Sequence, residues 1–141
     1  DAQPAQDSFQ ELGELIRKFP KSEYSPDARQ RMIYLRDRLA LHELHVAHYY
    51  LKRHAYLAAA NRGKNIVENY QGTTHVGDGL ALMVEGYELL EQQDLADKSL
   101  IVLKENFPNH PQLENGKFVH TGWAQRDHKS IWNVVTFGLI D

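Results

Sequence analysis

The sequence contains no cysteine, which excludes a disulfide framework, a thiol nucleophile and cysteine-ligated zinc. It has no apolar run near the roughly 20 residues that a membrane-spanning helix needs, and no secretory leader is visible at its start. It has no basic excess: 16 lysines and arginines stand against 19 acids, for a formal charge of −3. A nucleic-acid partner is therefore not expected, because binding to phosphate rests on clustered cations. A glycine-rich phosphate loop is missing too, since Gly77 and Gly79 open a helical stretch with no strand before them. No serine stands in a nucleophile elbow. The acid pairs Glu11/Glu14 and Asp94/Asp97 read as helix-start charges that favour the dipole. Nothing here supports an enzyme or calls for a cofactor. The first residue is Asp1 rather than methionine, as expected of a mature form or a fragment.

What is present is a pattern of helices. The 141 residues suit one modest domain, and 42% hydrophobic with 25% charged residues is an ordinary balance for a packed chain. Three breaks divide it: Phe19-Pro20 through Ser25-Pro26, Tyr70-Gln71-Gly72, and Phe107-Pro108 through Pro111. Residues 28–53 hold neither glycine nor proline and favour helix. The spacing predicts helices at about 7–19, 26–53, 55–70, 74–91 and 95–106. Ser25, Thr73 or Thr74, and Asp94 are candidate N-caps, and Gly72 suits a left-handed exit.

The helices repeat. Ala59, Gly63, Ile66, Val67 and Tyr70 align with Ala96, Leu100, Leu103, Lys104 and Phe107 at an offset of 37. Ser8, Leu12, Leu15, Ile16 and Phe19 align with the first set at an offset of 51. Ala47 and Tyr50 match Val84 and Tyr87, again at 37. A helix hairpin cannot bury its apolar stripe alone, so such units stack and share a core. The small residue is expected to let the two helices of a hairpin approach, and the aromatic to fill the gap to the next. The expected fold is all-α: tandem tetratricopeptide-like helix hairpins in a right-handed superhelical array over residues 1–110. The offset of 51 implies one overlong first helix, 26–53. The helix at 7–19 would then be a second helix with no partner before it, as in the C-terminal part of a longer array. Residues 111–141 form a tail carrying Trp123, Trp132, Val134, Val135, Phe137, Leu139 and Ile140. So apolar a tail is expected to cap the last hairpin, or else to serve as a binding segment.

The residues around the long helix are more specific than the generic repeat. Phe19-Pro20-Lys21-Ser22-Glu23-Tyr24 is followed by Asp27-Ala28, Arg31-Met32 and Leu35-Arg36-Asp37-Arg38-Leu39-Ala40. Then come Glu43-Leu44, Val46-Ala47, Tyr49-Tyr50, Arg53, Ala55-Tyr56, Ala58-Ala59 and Asn61-Arg62. This ordered set resembles the BamD family, the lipoproteins of the outer-membrane β-barrel assembly machinery of Gram-negative bacteria. It is densest over residues 8–70 and looser to Phe107. The resemblance implies a non-catalytic scaffold at the periplasmic face of the outer membrane. Its implied partners are the periplasmic (POTRA) domain of the barrel subunit and small accessory lipoproteins. Unfolded outer-membrane proteins would be met through N-terminal repeats that do not match this chain, and membrane attachment would come through a lipid anchor absent from it.

The resemblance also places Asn61-Arg62 in the second helix of a hairpin at the barrel-subunit interface, and a rigid guanidinium fork suits that role. The expected partner-binding residues are Arg62, Asn61, Arg53, Asn65, Lys64 and Asn69. Read from the residues alone, Arg62 is equally an internal ion pair. The cations Arg29, Arg31, Arg36 and Arg38, with Lys52, Arg53, Arg62 and Lys64, are either a solvated face or a patch for an acidic partner. Tyr49, Tyr50 and Tyr56 read as repeat core. The competing function is a generic peptide-binding adaptor, in which Asn65 and Asn69 line a groove and matter more than Arg62.

His42, His45 and His48 recur every third residue with His54 beyond, but such a row drifts round the helix and fits one ion poorly. The zinc-protease spacing needs a histidine four residues after His42, and Val46 is there. No metal site is expected.

Overall fold

The computed structural model describes residues 2–21 and 25–125. The apolar tail residues from Trp132 to Ile140, and Ser22 to Tyr24, lie outside the described residues. Among the described residues five long helices follow in order: α1 (Gln3–Lys18), α2 (Ser25–Lys52), α3 (Tyr56–Asn69), α4 (Val76–Leu89) and α5 (Gln93–Asn106). Consecutive helices pack on one another, α1 on α2, α2 on α3, α3 on α4 and α4 on α5. The chain is thus an all-α array of tetratricopeptide-like helix hairpins. A two-stranded antiparallel hairpin follows, β1 (Leu113–Glu114) and β2 (Lys117–Phe118), with Leu113 opposite Phe118. Its turn is Asn115-Gly116, both at positive φ, as the primed turn of a tight hairpin requires. The Asn-Gly pair was a legible signal for this turn that helical periodicity does not capture.

The repeat extends to backbone detail. The second helices α1, α3 and α5 end on Phe19, Tyr70 and Phe107, whose N–H groups donate to Leu15, Ile66 and Leu103. These are the positions that align in sequence. The turns inside the hairpins match as well. His54 and Glu91, 37 apart, both take φ near 60°. Ala55 N–H donates to Tyr50 and Gln92 N–H to Tyr87, each at 2.9 Å. That six-to-one closure over a left-handed residue satisfies helix-end carbonyls.

The starts of the helices differ from expectation. Ser25 does not cap α2; it lies inside the helix and its hydroxyl donates to the Phe19 carbonyl at 2.6 Å, tying the end of α1 to the start of α2. Neither Thr73 nor Thr74 caps α4, which starts after His75 without a side-chain cap. Thr74 gives both its N–H and its hydroxyl to Asp37 of α2 at 2.9 Å. A carboxylate from the long helix thus serves the loop that leads into α4. Asp94 is not the N-cap of α5 but sits in its first turn, where its charge still meets the dipole favourably. Gly72 does take the left-handed conformation expected of it, at φ 82°.

The small residue Ala59 packs against α2 as expected, and glycines act at a second contact. A Cβ on Gly63 would stand 2.5 Å from the carbonyl oxygen of Gly79, and one on Gly79 would stand 2.9 Å from that of Gly63. A Cβ on Gly86 would meet Ala60 and the Tyr56 carbonyl at 2.9 Å. Glycine therefore lets α3 touch α4 of the next hairpin, backbone to backbone, rather than its own partner α2. The α2–α3 contact is filled instead by side chains, with Ala40, Leu44, Ala47, Leu51, Ala59 and Ile66 in one buried cluster.

Candidate partner-binding surfaces

The expected partner-binding residues all lie on or beside α3. Arg62, Asn65 and Asn69 share one row, because spacings of three and seven residues return to nearly the same side of a helix. This row runs along α2. Its centre is Arg62, whose Nη1 donates to both oxygens of Glu43 at 3.1 Å. Glu43 is nearly buried, whereas 41% of the Arg62 side chain remains exposed. The hydrogen bond to Glu43 raises the guanidinium pKa, against a smaller opposing effect of burial. The internal ion pair and the outward-facing arginine are therefore one arrangement, not alternatives: α2 fixes the base of the fork and leaves its side toward solvent.

At the far end of the row, Asn69 Nδ2 donates to Asn65 Oδ1 at 2.6 Å. Arg36 of α2 caps the end of α3, donating to the carbonyls of Asn69 and Gln71 at 2.9 and 2.6 Å. At the near end, Arg53 lies over the Tyr49 ring at 5.0 Å, and Tyr49 is exposed rather than core. Asn61 and Lys64 point away from α2 on the next row, where Lys64 stands 3.8 Å from Glu68. The structure thus brings Arg36, Arg62 and Arg53 onto one edge and sets Asn61 and Lys64 beside it. Beyond Arg36 the edge opens into a shallow cleft of about 600 Å³, lined by Ile33, Tyr34, Asp37 and Thr73. Ile33 is 69% exposed and Tyr34 60%. The sequence reading singled out neither.

The other side of α2 is built differently. His48 lies five residues after Glu43 and so about 140° round the helix. Its ring stacks on Trp123 with centroids 5.2 Å apart and planes 9° from parallel. Lys52 Nζ stands 4.3 Å from the centre of the same Trp123 ring. Burial lowers the pKa of His48, and the nearby His45 and Lys52 lower it further against Glu85 and Asp78. His54, in the left-handed turn position, is bonded through Nε2 to the Ala124 carbonyl at 2.9 Å.

The tail reaches this place by crossing α4. That helix carries Asp78, Glu85 and Glu88 on one stripe and no lysine or arginine. His110 meets Asp78 at 2.8 Å. Glu85, fully buried, accepts from the Thr121 N–H at 3.1 Å, the Thr121 hydroxyl at 2.8 Å and Gln112 at 3.3 Å. His120 meets Glu88. Residues 110–124 therefore cover the face shared by α2 and α4, the first helices of successive hairpins. Asn65 and Asn69 are not part of that face. At the entry to α4, His75 stands 3.4 Å from both Asp37 and Asp78. Burial opposes ionisation of Asp78, but hydrogen bonds from His110 and His75 outweigh it and leave its pKa lowered.

Among the described residues no cluster of three or more histidines and acids is arranged to hold a metal ion, and no helix is long and apolar enough to cross a membrane. His42, His45 and His48 do not converge, and His48 is committed to Trp123.

Comparison with known proteins agrees with this architecture. A profile of the YfiO family, described as an outer membrane lipoprotein, matches residues 1–103. The chain is 42% identical over 113 residues to a protein of Neisseria gonorrhoeae, covering 80% of this chain and 42% of that protein. It is 38% identical over 116 residues to one of Haemophilus influenzae, covering 76% and 44%. It is 34% identical over 118 residues to one of Xylella fastidiosa strain Temecula1, covering 84% and 40%. Each of these is named outer membrane protein assembly factor BamD, a name for an assembly factor rather than an enzyme. The chain spans about two-fifths of the length of these curated relatives. With a family profile matched from Asp1 to Leu103 and relatives above one-third identity, the chain belongs to the YfiO (BamD) family of outer membrane lipoproteins.

Proposed function

We propose that this chain is the C-terminal repeat array of an outer membrane protein assembly factor and acts as a non-catalytic scaffold. In this reading the α2–α3 edge binds the periplasmic domain of the barrel subunit, with Arg62 at its centre and Asn61, Arg53, Lys64, Asn65 and Asn69 around it. Accessory lipoproteins dock on the same array, unfolded outer-membrane proteins engage repeats N-terminal to it, and a lipid anchor on the full-length protein holds it to the periplasmic face of the membrane. The observation that carries the site is the geometry of Arg62. A guanidinium oriented by a nearly buried carboxylate loses little freedom when a partner carboxylate arrives, so less ordering cost opposes binding. Exposed arginine and tyrosine, here Arg62 with Arg53 on Tyr49, are also common anchors of protein interfaces.

The test is a binding titration of the chain against the periplasmic domains of a barrel-assembly subunit. Arg62→Ala is expected to weaken binding by about tenfold or more, as loss of one interface anchor does. Arg62→Glu is expected to weaken it further, by setting like charges against each other. Unchanged affinity in both variants, with helical content retained, removes Arg62 from the interface.

A further inference from the structure

The second charged surface, on the opposite side of α2, has the chemistry of a peptide site. A short segment, residues 119–124, lies across two helices and is held as bound peptides are held, with Trp123 opening a helical turn. One backbone N–H and one hydroxyl, both from Thr121, go to a buried carboxylate. One ring, Trp123, lies against a flat histidine and a lysine ammonium. One carbonyl, of Ala124, is bonded by His54. Gly122 between them takes φ 79°, turning the chain so that Thr121 faces α4 and Trp123 faces α2. The segment is not packed like core. Val119 is 39% exposed, Thr121, Gly122 and Trp123 are only partly buried, and Ala124 alone is buried.

Glu85 is the most informative residue. It is fully buried in the middle of a mostly apolar helix, and among the described residues no lysine, arginine or histidine is within ion-pair distance of it. A permanently closed cap would be served as well or better by an apolar side chain of similar volume, since burying an ionised carboxylate is costly. Its position makes sense where the face is at times open. Once the tail lifts, water reaches the carboxylate and the histidine and lysine beside it, so opening exposes polar groups rather than a greasy patch.

We propose that the face shared by α2 and α4 is a binding site for a short segment with threonine and, two residues on, an aromatic ring, and that residues 119–125 of this chain occupy it in cis. Glu85 reads the threonine N–H and hydroxyl, His48 and Lys52 read the ring, and His54 reads a carbonyl beyond it. The cis segment keeps the site closed, and a segment of the same chemistry in trans enters only by displacing it. This site is distinct from the Arg62 edge, so partner binding there can stand or fall separately.

The probe is a fluorescein-labelled peptide of residues 117–125, titrated by anisotropy against the full chain. The Trp123→Ala chain, whose own segment has lost its ring contact, is expected to bind the peptide saturably. The unaltered chain is expected to bind it about tenfold more weakly, because the cis segment competes. Adding Glu85→Gln to the Trp123→Ala chain is expected to weaken binding by about tenfold, the effect of losing a charged hydrogen-bond acceptor. No saturable binding to the Trp123→Ala chain, equal binding to that chain and the unaltered one, or no effect of Glu85→Gln each overturns the proposal. Amide hydrogen exchange of the unaltered chain decides the matter even where Trp123→Ala fails to fold. The Thr121 N–H is expected to exchange through an opening at least about tenfold more frequent than the one that exposes the Leu103 N–H. Equal protection of the two overturns the proposal, since the tail would then open only when the whole array unfolds.

Discussion

On one side of α2, the cations of the α2–α3 edge are held by this chain's own groups and still reach solvent: Arg36 on two carbonyls, Arg62 on Glu43, Arg53 on an aromatic face. On the other side, the carboxylates of α4 are bonded by a segment at least 22 residues further along the chain, and Glu85 among them is fully buried. Both surfaces are charged and both are built on α2. The difference lies in what supplies the counter-group. Neighbouring helices leave Arg62 oriented but accessible, whereas the returning tail leaves Glu85 buried. A scaffold can thus present one surface permanently and keep another in reserve without any change of fold.

The comparison breaks most completely where the two hairpins are joined. Gly63→Ala sets a methyl 2.5 Å from the Gly79 carbonyl oxygen and must push α3 off α4. A loss of about 3 kcal/mol is expected in urea denaturation, the upper part of the range for overpacking, because backbone rather than a flexible side chain stands in the way.

Next come the two carboxylates that define the surfaces. Glu85→Ala leaves the Thr121 and Gln112 donors without their acceptor and is expected to destabilise by about 2 kcal/mol. Glu43→Ala breaks an ion pair whose arginine is 41% exposed and can rehydrate, so about 1 kcal/mol or less is expected. Equal losses in the two variants would mean that the inner and outer surfaces are built alike.

Acid separates the surfaces in another way. His48 has a lowered pKa in the folded chain, so it binds its proton more readily when unfolded. Its contribution is complete above the ordinary histidine value and is lost as pH falls through the folded one. Asp78 and Asp37 are also lowered, and their contribution is lost further down, as pH falls below the ordinary aspartate range. Urea midpoints between pH 7.5 and 5 are expected to fall in the unaltered chain, and less so in His48→Gln. A midpoint that falls as far in that variant would assign the acid sensitivity elsewhere.

The smallest effect concerns the paired turns. Glu91 and His54 both pay for a left-handed backbone that glycine takes freely. Glu91→Gly is expected to raise stability by up to about 1 kcal/mol. His54→Gly gains the same relief but gives up the bond to the Ala124 carbonyl, so its net gain should be smaller by thermal melting. Identical gains would show that the tail bond contributes nothing.

Much of this architecture was legible in the residues. The offsets of 37 and 51 pick out helix ends that prove equivalent down to the hydrogen bond, because a stacked repeat must meet the same neighbour in the same way each time. The array's caps were less legible. Serine, threonine and aspartate mark a helix start in general, but Ser25 and Thr74 give their hydroxyls to groups brought near by the fold, the Phe19 carbonyl and Asp37. Ala59, the small residue that opens the aligned set, packs against α2 as expected, but the contact that Gly63 makes with Gly79 was not legible, because only the fold shows what comes close. At the candidate edge, Arg62 was legible as a residue with two readings, and the geometry shows the internal pair with Glu43 while leaving the arginine partly exposed. Glu85 and the segment 119–124 were missed as a pair. Nothing near Glu85 in sequence explains a carboxylate in that helix, and its partner Thr121 lies 36 residues away.

The length of α2 has a mechanical consequence. Its 28 residues make a rod about 42 Å long. One end packs on α1 and the other holds α3 and Trp123, with no loop between them. A load applied at α1 therefore reaches the far end as a rigid rotation, undamped by any joint. Two bodies gripping the two ends are held at a set spacing and angle, as by a strut, and a pull on one becomes a torque on the other.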